Sequence, residues 1–420
     1  MAWTQNSKFS AASAAQYDDL GWSIARSGDT IVVGAIGDDT NAASAGAAYV
    51  FVKTAGVWTL QQKLFPSTSY WFGFFGWDVS IDGDTIVVGS SAWFAAEVGA
   101  YVFTRTGAVW TEQQKLVPAD FLIDPGTFGH SVSVEGDTVA IGAYVTAGGG
   151  SVYIFTRAGA IWSEGQKLAG SVVSAFGYFG ESVHLSGDWL AISAPLDDSI
   201  VTQEGSVFAF KVAAGIWTEQ QKLITSDAAV GDRLCFRSDS NNNALALNGT
   251  VLVAGCERAS TAIGGAAYVF SLSGGVWTEQ QKLLQSVRAG DGAFTEKFGR
   301  AVATDGTRVA IGAGETELAA WAPDVPGAVY VYSNSGGIWS ADALLFPTRV
   351  DPLIGGGVYN TDGSLSLAGS ELLVGGYGDD AAHAASCGAV YYFTLENNPT
   401  MMRLPMAGLY IDEVRGIKHT

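Results

Sequence analysis

The chain has 420 residues, and 22 basic against 41 acidic side chains leave it at −19. Only 15% of residues are charged, 48% are hydrophobic and 54 are glycine, a balance that excludes a disordered acidic tail. A negative field of this size argues against nucleic acid or an anionic membrane surface as partner, no apolar run reaches the roughly 18 residues of a membrane span, and three cysteines exclude a disulfide scaffold.

At the start of the chain, residues 1–13 lack the basic and apolar runs of a signal peptide. They do contain Trp3-Thr4-Gln5-Asn6-Ser7-Lys8-Phe9, which matches Trp58 to Leu64 position for position. That pattern, Trp-Thr-x-Gln-Gln-Lys-Leu, returns with variation at Trp110, Trp162, Trp217, Trp277 and Trp339. A glycine turn before a β-branched run recurs at Gly28, Gly83, Gly136, Gly187, Gly249, Gly306 and Gly369. An aromatic triplet recurs at Tyr49, Tyr101, Tyr153, Phe208, Tyr268, Tyr330 and Tyr391. Seven copies spaced 51 to 63 residues apart fall in the range of propeller blades.

The second repeat shows the predicted elements. Val79 to Asp82 reads as strand one, Asp82-Gly83 as a tight turn and Thr85 to Gly89 as strand two. Ala100 to Arg105 is strand three, Thr106-Gly107 turns, and Val109 to Leu116 is strand four. The seventh triplet has no tryptophan strand after it, whereas residues 1–9 are such a strand with no triplet before it. The expectation is an all-β, seven-bladed propeller of four-stranded antiparallel blades over residues 1–395, closed by the N-terminal strand in blade seven.

An aromatic-Gly pair opens strand one at Phe75-Gly76, Phe128-Gly129, Phe179-Gly180 and Phe298-Gly299. Gly-Ala or a close variant ends strand two at Gly34-Ala35, Gly142-Ala143, Ser193-Ala194-Pro195 and Gly312-Ala313. In these features the chain resembles the FG-GAP repeat, the blade unit of integrin α-subunit propellers and of many bacterial and viral proteins. Integrin-type blades carry a calcium loop of the form DxDxDGxxD, and none of the seven hairpins has it. The nearest approach, Asp239, Asn241 and Asn243, lacks the turn glycine and the closing carboxylate and reads better as a polar loop.

No catalytic or cofactor motif stands out. His130, His184, His383 and His419 are dispersed, with the first two assigned to strand one in structural roles. The acid pairs Asp38-Asp39, Asp197-Asp198 and Asp379-Asp380 fall at one repeat position after strand two, which turn chemistry explains better than a glycosidase. Cys235 and Cys256 lie near one end of the fifth sheet, where a disulfide is geometrically open but buried thiols are the commoner outcome. Asn248-Gly249-Thr250 reads as a turn rather than a glycan site.

Recognition is expected on the face that carries the two-three loops and the blade connections, because nearly all length variation falls there. Aromatics beyond the repeat's needs gather on it: Tyr70, Trp71, Phe72, Phe74, Trp93, Phe94, Phe121, Tyr144, Phe176, Tyr178 and Trp321. Each is suited either to stacking on sugar rings or a protein hot spot, or to plugging between blades. Residues 396–420 read as an extended docking tail, with Met401, Met402, Leu404, Met406, Tyr410 and Ile411 as its apolar contacts.

These features point to a non-enzymatic adhesion or assembly module without cofactor. The expected setting is a phage virion, made in the host cytoplasm, as a tail, fibre or capsid-decoration component. Its partners would be other subunits and a host-surface glycan or protein. The alternatives are a leaderless cytoplasmic scaffold in a bacterium and a propeller polysaccharide hydrolase or lyase.

Overall fold

The computed structural model describes residues 2–11, 13–15, 17–91, 99–120, 127–236, 244–260, 264–285, 297–314, 327–345, 364–377 and 387–396. Among them every regular element is a strand, and the strands form seven four-stranded antiparallel sheets. The sheets are the blades of one ring. Blade two is typical: Phe75–Asp82, Thr85–Ser90, Gly99–Thr106 and Val109–Leu116 pair in sequence order.

Blade seven is assembled from both ends of the chain. Ala2–Phe9 pairs with Ala389–Glu396, from Ala2 opposite Glu396 to Phe9 opposite Val390. The outermost strand of every blade carries a bulge at one residue: Gln61, Gln113, Gly165, Gln220, Gln280, Asp342 and, in the N-terminal strand, Asn6. The first strand of the chain is therefore a fourth strand down to its irregularity.

The turns follow from glycine placement. Strand one of blade two ends with Asp82 opposite Thr85, so the loop residues are Gly83 and Asp84, one position later than the Asp-Gly reading. Gly83 has φ +54 and Asp84 does not share its left-handed backbone, the pattern of a type II′ turn. Between strands three and four, residue order selects the turn. Gly107-Ala108 has one left-handed residue, whereas Ala55-Gly56 has two, at φ +51 and +83, the type I′ pattern.

The FG pair occupies the centre of another turn. The Trp77 N–H donates to the Phe74 carbonyl across Phe75 and Gly76, with Gly76 at φ +94, as a type II turn requires. A Cβ on the equivalent Gly180 would lie 2.6 Å from the Ser151 carbonyl oxygen. The phenylalanine is buried and meets its own blade's aromatic triplet edge-on, as in Phe75–Tyr101 at 5.5 Å and Phe179–Phe208 at 5.2 Å. In blade five Leu234-Cys235 replaces Phe-Gly, and Cys235 is held at φ +65. Cys235, Cys256 and Cys387 are all buried thiols, with no disulfide among them.

Two sets of contacts join neighbouring blades. At the outer rim, the second glutamine of the repeat motif clasps the next blade's tryptophan backbone. Gln114 donates from Nε2 to the Trp162 carbonyl at 2.8 Å and accepts the Trp162 N–H at 2.9 Å. Gln62, Gln166, Gln221 and Gln281 do the same for Trp110, Trp217, Trp277 and Trp339. The clasp has no glutamine at Ala343 or Ser7, on either side of blade seven.

The inner edge is satisfied in the same spirit. Strand one of each blade is an edge strand, and in blades one, three and four side chains of the preceding blade cap its N–H groups. Val132 N–H donates to Asp78, Val183 and Leu185 N–H to Ser131 and Ser133, and Gly187 N–H to Glu135. Strand one of all seven blades lines a central cavity of about 260 Å³.

The interface between blades seven and one uses charge instead of a glutamine. Glu371 accepts from Lys53 at 2.6 Å and also from Arg26 and Tyr392. Burial works to raise its carboxyl, but the hydrogen bonds from Lys53, Tyr392 and Arg26 outweigh it and hold Glu371 at about 2. Phe9 adds rings 5.1 Å from Phe51 and 6.2 Å from Trp58.

Candidate partner-binding face

The predicted aromatics separate into two groups. Tyr70, Trp71, Phe72 and Phe176 are exposed, Trp71 and Phe176 to 71% and 79%. Phe74, Tyr144 and Tyr178 are half-buried. Trp93, Phe94, Phe121 and Trp321 lie outside the described residues, as do Met401, Met402, Leu404, Met406, Tyr410 and Ile411 of the tail and the loop Asp239, Asn241 and Asn243. Tyr17, Val145, Val172, Ile200 and Val230 add exposed apolar surface on the same connections.

The exposed loop Tyr70–Phe72 is firmly held. Phe72 N–H donates to the Ala43 carbonyl at 2.9 Å and Phe74 N–H to the Ser44 carbonyl at 3.1 Å. Ser90 Oγ donates to the Gly73 carbonyl at 2.5 Å. Phe72 and Phe74 sit at φ +57 and +49, a costly conformation for aromatic residues that these bonds maintain. Tyr178 shares it at φ +61.

The half-buried rings belong to a crescent around the mouth of the ring. Ring centroids run from Tyr377 to Trp22 at 5.0 Å, Trp22 to Trp77 at 5.2 Å, Trp77 to His130 at 5.4 Å, His130 to Tyr144 at 4.5 Å and Tyr144 to Tyr178 at 4.9 Å. Trp22, Trp77, His130 and Tyr377 are not among the sequence candidates. The signal is present all the same: Trp22, Trp77 and His130 each occupy the position just after the FG pair or its equivalent. In later blades that position holds Glu181, Phe236 and Arg300. His130 thus lies in the turn ahead of strand one of blade three rather than in the strand, while His184 does lie in strand one of blade four.

The acid pairs fasten loops. Asp38 is buried, accepts from the Tyr49 hydroxyl at 2.8 Å and pairs with Lys63 at 2.5 Å. Asp197 accepts from Ser206 and Ser199, each at 2.9 Å, and pairs with Lys222 at 2.5 Å. Burial alone would raise both carboxyls, but their lysines and further donors hold them below the ordinary range. The second acid of each pair closes the two-three loop: Asp39 accepts the Ser44 N–H and Asp198 the Gln203 N–H, each at 2.6 Å. Asp379 and Asp380 lie outside the described residues. Among the described residues no group of three or more histidine, cysteine or acidic side chains could hold a metal ion.

Ring closure, blade repetition and an aromatic loop face define a seven-bladed β-propeller of the repeat type. The FG-GAP repeat profile matches residues 3–51, 58–103, 110–155, 162–210 and 277–332, more than half of the chain. The chain belongs to the FG-GAP repeat family. Each matched unit starts in the tryptophan strand of one blade and continues into the next, so the sequence repeat is offset from the blade by one strand.

No curated protein matches the chain. Among solved structures, a protein provisionally identified as a 6-phosphogluconolactonase from Bacteroides uniformis superposes at TM-score 0.49 and 12% identity, covering 78% of this chain and 85% of its own. A counterpart from Bacteroides fragilis gives the same score and identity, covering 78% and 84%. Likenesses this distant carry no argument about activity.

Proposed function

We propose that this propeller is a non-enzymatic binding and assembly module that engages a partner through its variable-loop face. The observation that carries the reading is the Tyr70–Phe72 loop, whose rings are exposed and whose backbone is tied to blade one by hydrogen bonds from Phe72, left-handed itself, and from the neighbouring Phe74. Exposed aromatics on a rigid support lose little freedom on binding and suit a protein hot spot or the face of a sugar. Within that class we favour a virion component of a tail, fibre or capsid decoration. FG-GAP repeats resemble those of surface adhesion proteins, and a charge-poor chain with exposed apolar loops suits packing among other subunits. In this reading residues 396–420 dock onto a neighbouring subunit.

Mass spectrometry of purified virions tests the assembly role, and absence of the protein from particles would overturn it. A glycan array and host-cell binding test the receptor role. Trp71→Ala with Phe176→Ala should reduce binding at least tenfold without changing the melting temperature, and undiminished binding would remove this face from the proposal.

A further inference from the structure

The crescent of rings ends at a carboxyl group that it does not explain. Glu181 follows the Phe179-Gly180 turn of blade four, its N–H donating to the Tyr178 carbonyl at 3.1 Å. The residue is 5% exposed, and its Oε2 is buried without a hydrogen-bond donor. A buried carboxyl oxygen without a donor is costly, and buried polar atoms in native proteins are nearly always paired. Among the described residues the Glu257 carboxyl of blade five repels the Glu181 anion. Arg258 lies 3.9 Å from Glu257. Tyr144, from blade three, and Tyr178, from the preceding turn, are half-exposed rings, and Tyr144 feels the Glu181 charge.

We propose that the mouth of the ring at blades three to five binds a primary alkylammonium group, with Glu181 as its anion and Tyr144 and Tyr178 as its walls. An ammonium brings the N–H donors that Oε2 lacks, and its charge is attracted to ring faces. Calcium fits poorly, since it takes six to eight oxygens and Glu181 and Glu257 supply few. Burial and Glu257 together push the Glu181 carboxyl up to about 8, so near neutrality it carries a proton. Binding therefore exchanges ions: the ammonium keeps its hydrogens, Glu181 gives up its proton to solvent, and a carboxylate–ammonium pair remains. Among the described residues, Glu257 and Cys235 of blade five and Tyr144 of blade three are the titratable groups that act on Glu181, with Tyr178 of the adjoining turn and His130 against Tyr144.

The site does not use the exposed loop aromatics, so it and the partner-binding role can fail separately. Titration calorimetry of the full chain with n-butylammonium chloride, in two buffers of different ionisation enthalpy, tests it. Saturable binding is expected, with release of about one proton at pH 6.5 and affinity rising about tenfold per pH unit between 6 and 7. Tetramethylammonium, which has no N–H, should bind at least tenfold more weakly. Glu181→Gln should abolish the proton release and Tyr178→Leu should weaken binding severalfold. No saturation by about 100 mM, binding without proton release, or equal binding of tetramethylammonium would each overturn the proposal, and all three are read on the unmutated protein.

Discussion

Ala55 and Ala214 hold the first loop position of type I′ turns at φ +51, where blades five and six use Gly274 and Gly336. A left-handed alanine costs about 1 kcal/mol relative to glycine, and nothing in these exposed turns is lost with the methyl group. Ala55→Gly should therefore stabilise the protein by about 0.5–1 kcal/mol in denaturant melts. Asp78 is a second residue out of step with its equivalents, since Ser23, Ser131, Ser182 and Ser364 stand at its place in other blades. Burial pushes its carboxyl up to about 7, against the hydrogen bonds from Val132 and Val79 that favour the anion. A folded value above the unfolded one means that stability is fullest below about pH 4 and falls as pH rises to about 7. Asp78→Ser keeps an acceptor for the Val132 N–H, so its advantage over the parent should grow by about 1–3 kcal/mol between pH 4 and pH 8. Equal melting-temperature differences at the two pH values would refute this.

At the scale of elements, the repeat motif is an interface code. Its tryptophan fills the outer core while its second glutamine pairs with the next blade's backbone. Gln114→Ala strips partners from both the N–H and the carbonyl of Trp162 and should cost about 1–3 kcal/mol. The converse test is constructive. Ala343→Gln would place a sixth clasp opposite Trp3, and a rise of about 1 kcal/mol is expected; no gain would show that the blade six to seven interface has a different geometry. This code is only half legible in the sequence. Trp3 aligns with Trp58, so strand count and closure can be read directly, and Asn6 confirms them by carrying the same bulge. The glutamines can be seen to repeat, but their partners lie about 50 residues away across a blade boundary, and no local pattern reports that contact. Trp71 and Phe74 show the same limit on the candidate face. Both are aromatics of one short loop, yet Trp71 faces solvent whereas Phe74 packs 6.0 Å from Trp77, whose place depends on the neighbouring blade.

For the whole molecule, blade seven is the point of closure and is held differently from the others. Trp3 and Trp58, like Trp277 of blade five, each have a buried indole N–H without a partner where Trp110, Trp162 and Trp339 donate to glutamines, so what sets blade seven apart is the missing glutamine clasp on both of its sides. Glu371 and its three donors compensate at one of these two interfaces. Because its carboxyl is held below the unfolded value, its contribution is present above about pH 4.5 and disappears as pH falls towards 2. Glu371→Gln should lower the melting temperature at pH 7, by the equivalent of about 1–3 kcal/mol, with the difference vanishing near pH 2. Removing residues 1–9 exposes the edge of the Ala389–Glu396 strand and should lower the melting temperature severely; an unchanged value would contradict closure by this strand.

The pairing of Ala2 with Glu396 also decides how the ring answers to force. The two ends of the described chain leave one antiparallel pair at the same end of its strands. A pull applied through both would load that pair like the two tabs of a zipper. Its hydrogen bonds would break in succession rather than share the load as they do in shear. A propeller tethered through both ends would peel open at blade seven under a modest pull, whereas one tethered through its loop face would carry the load across several blades.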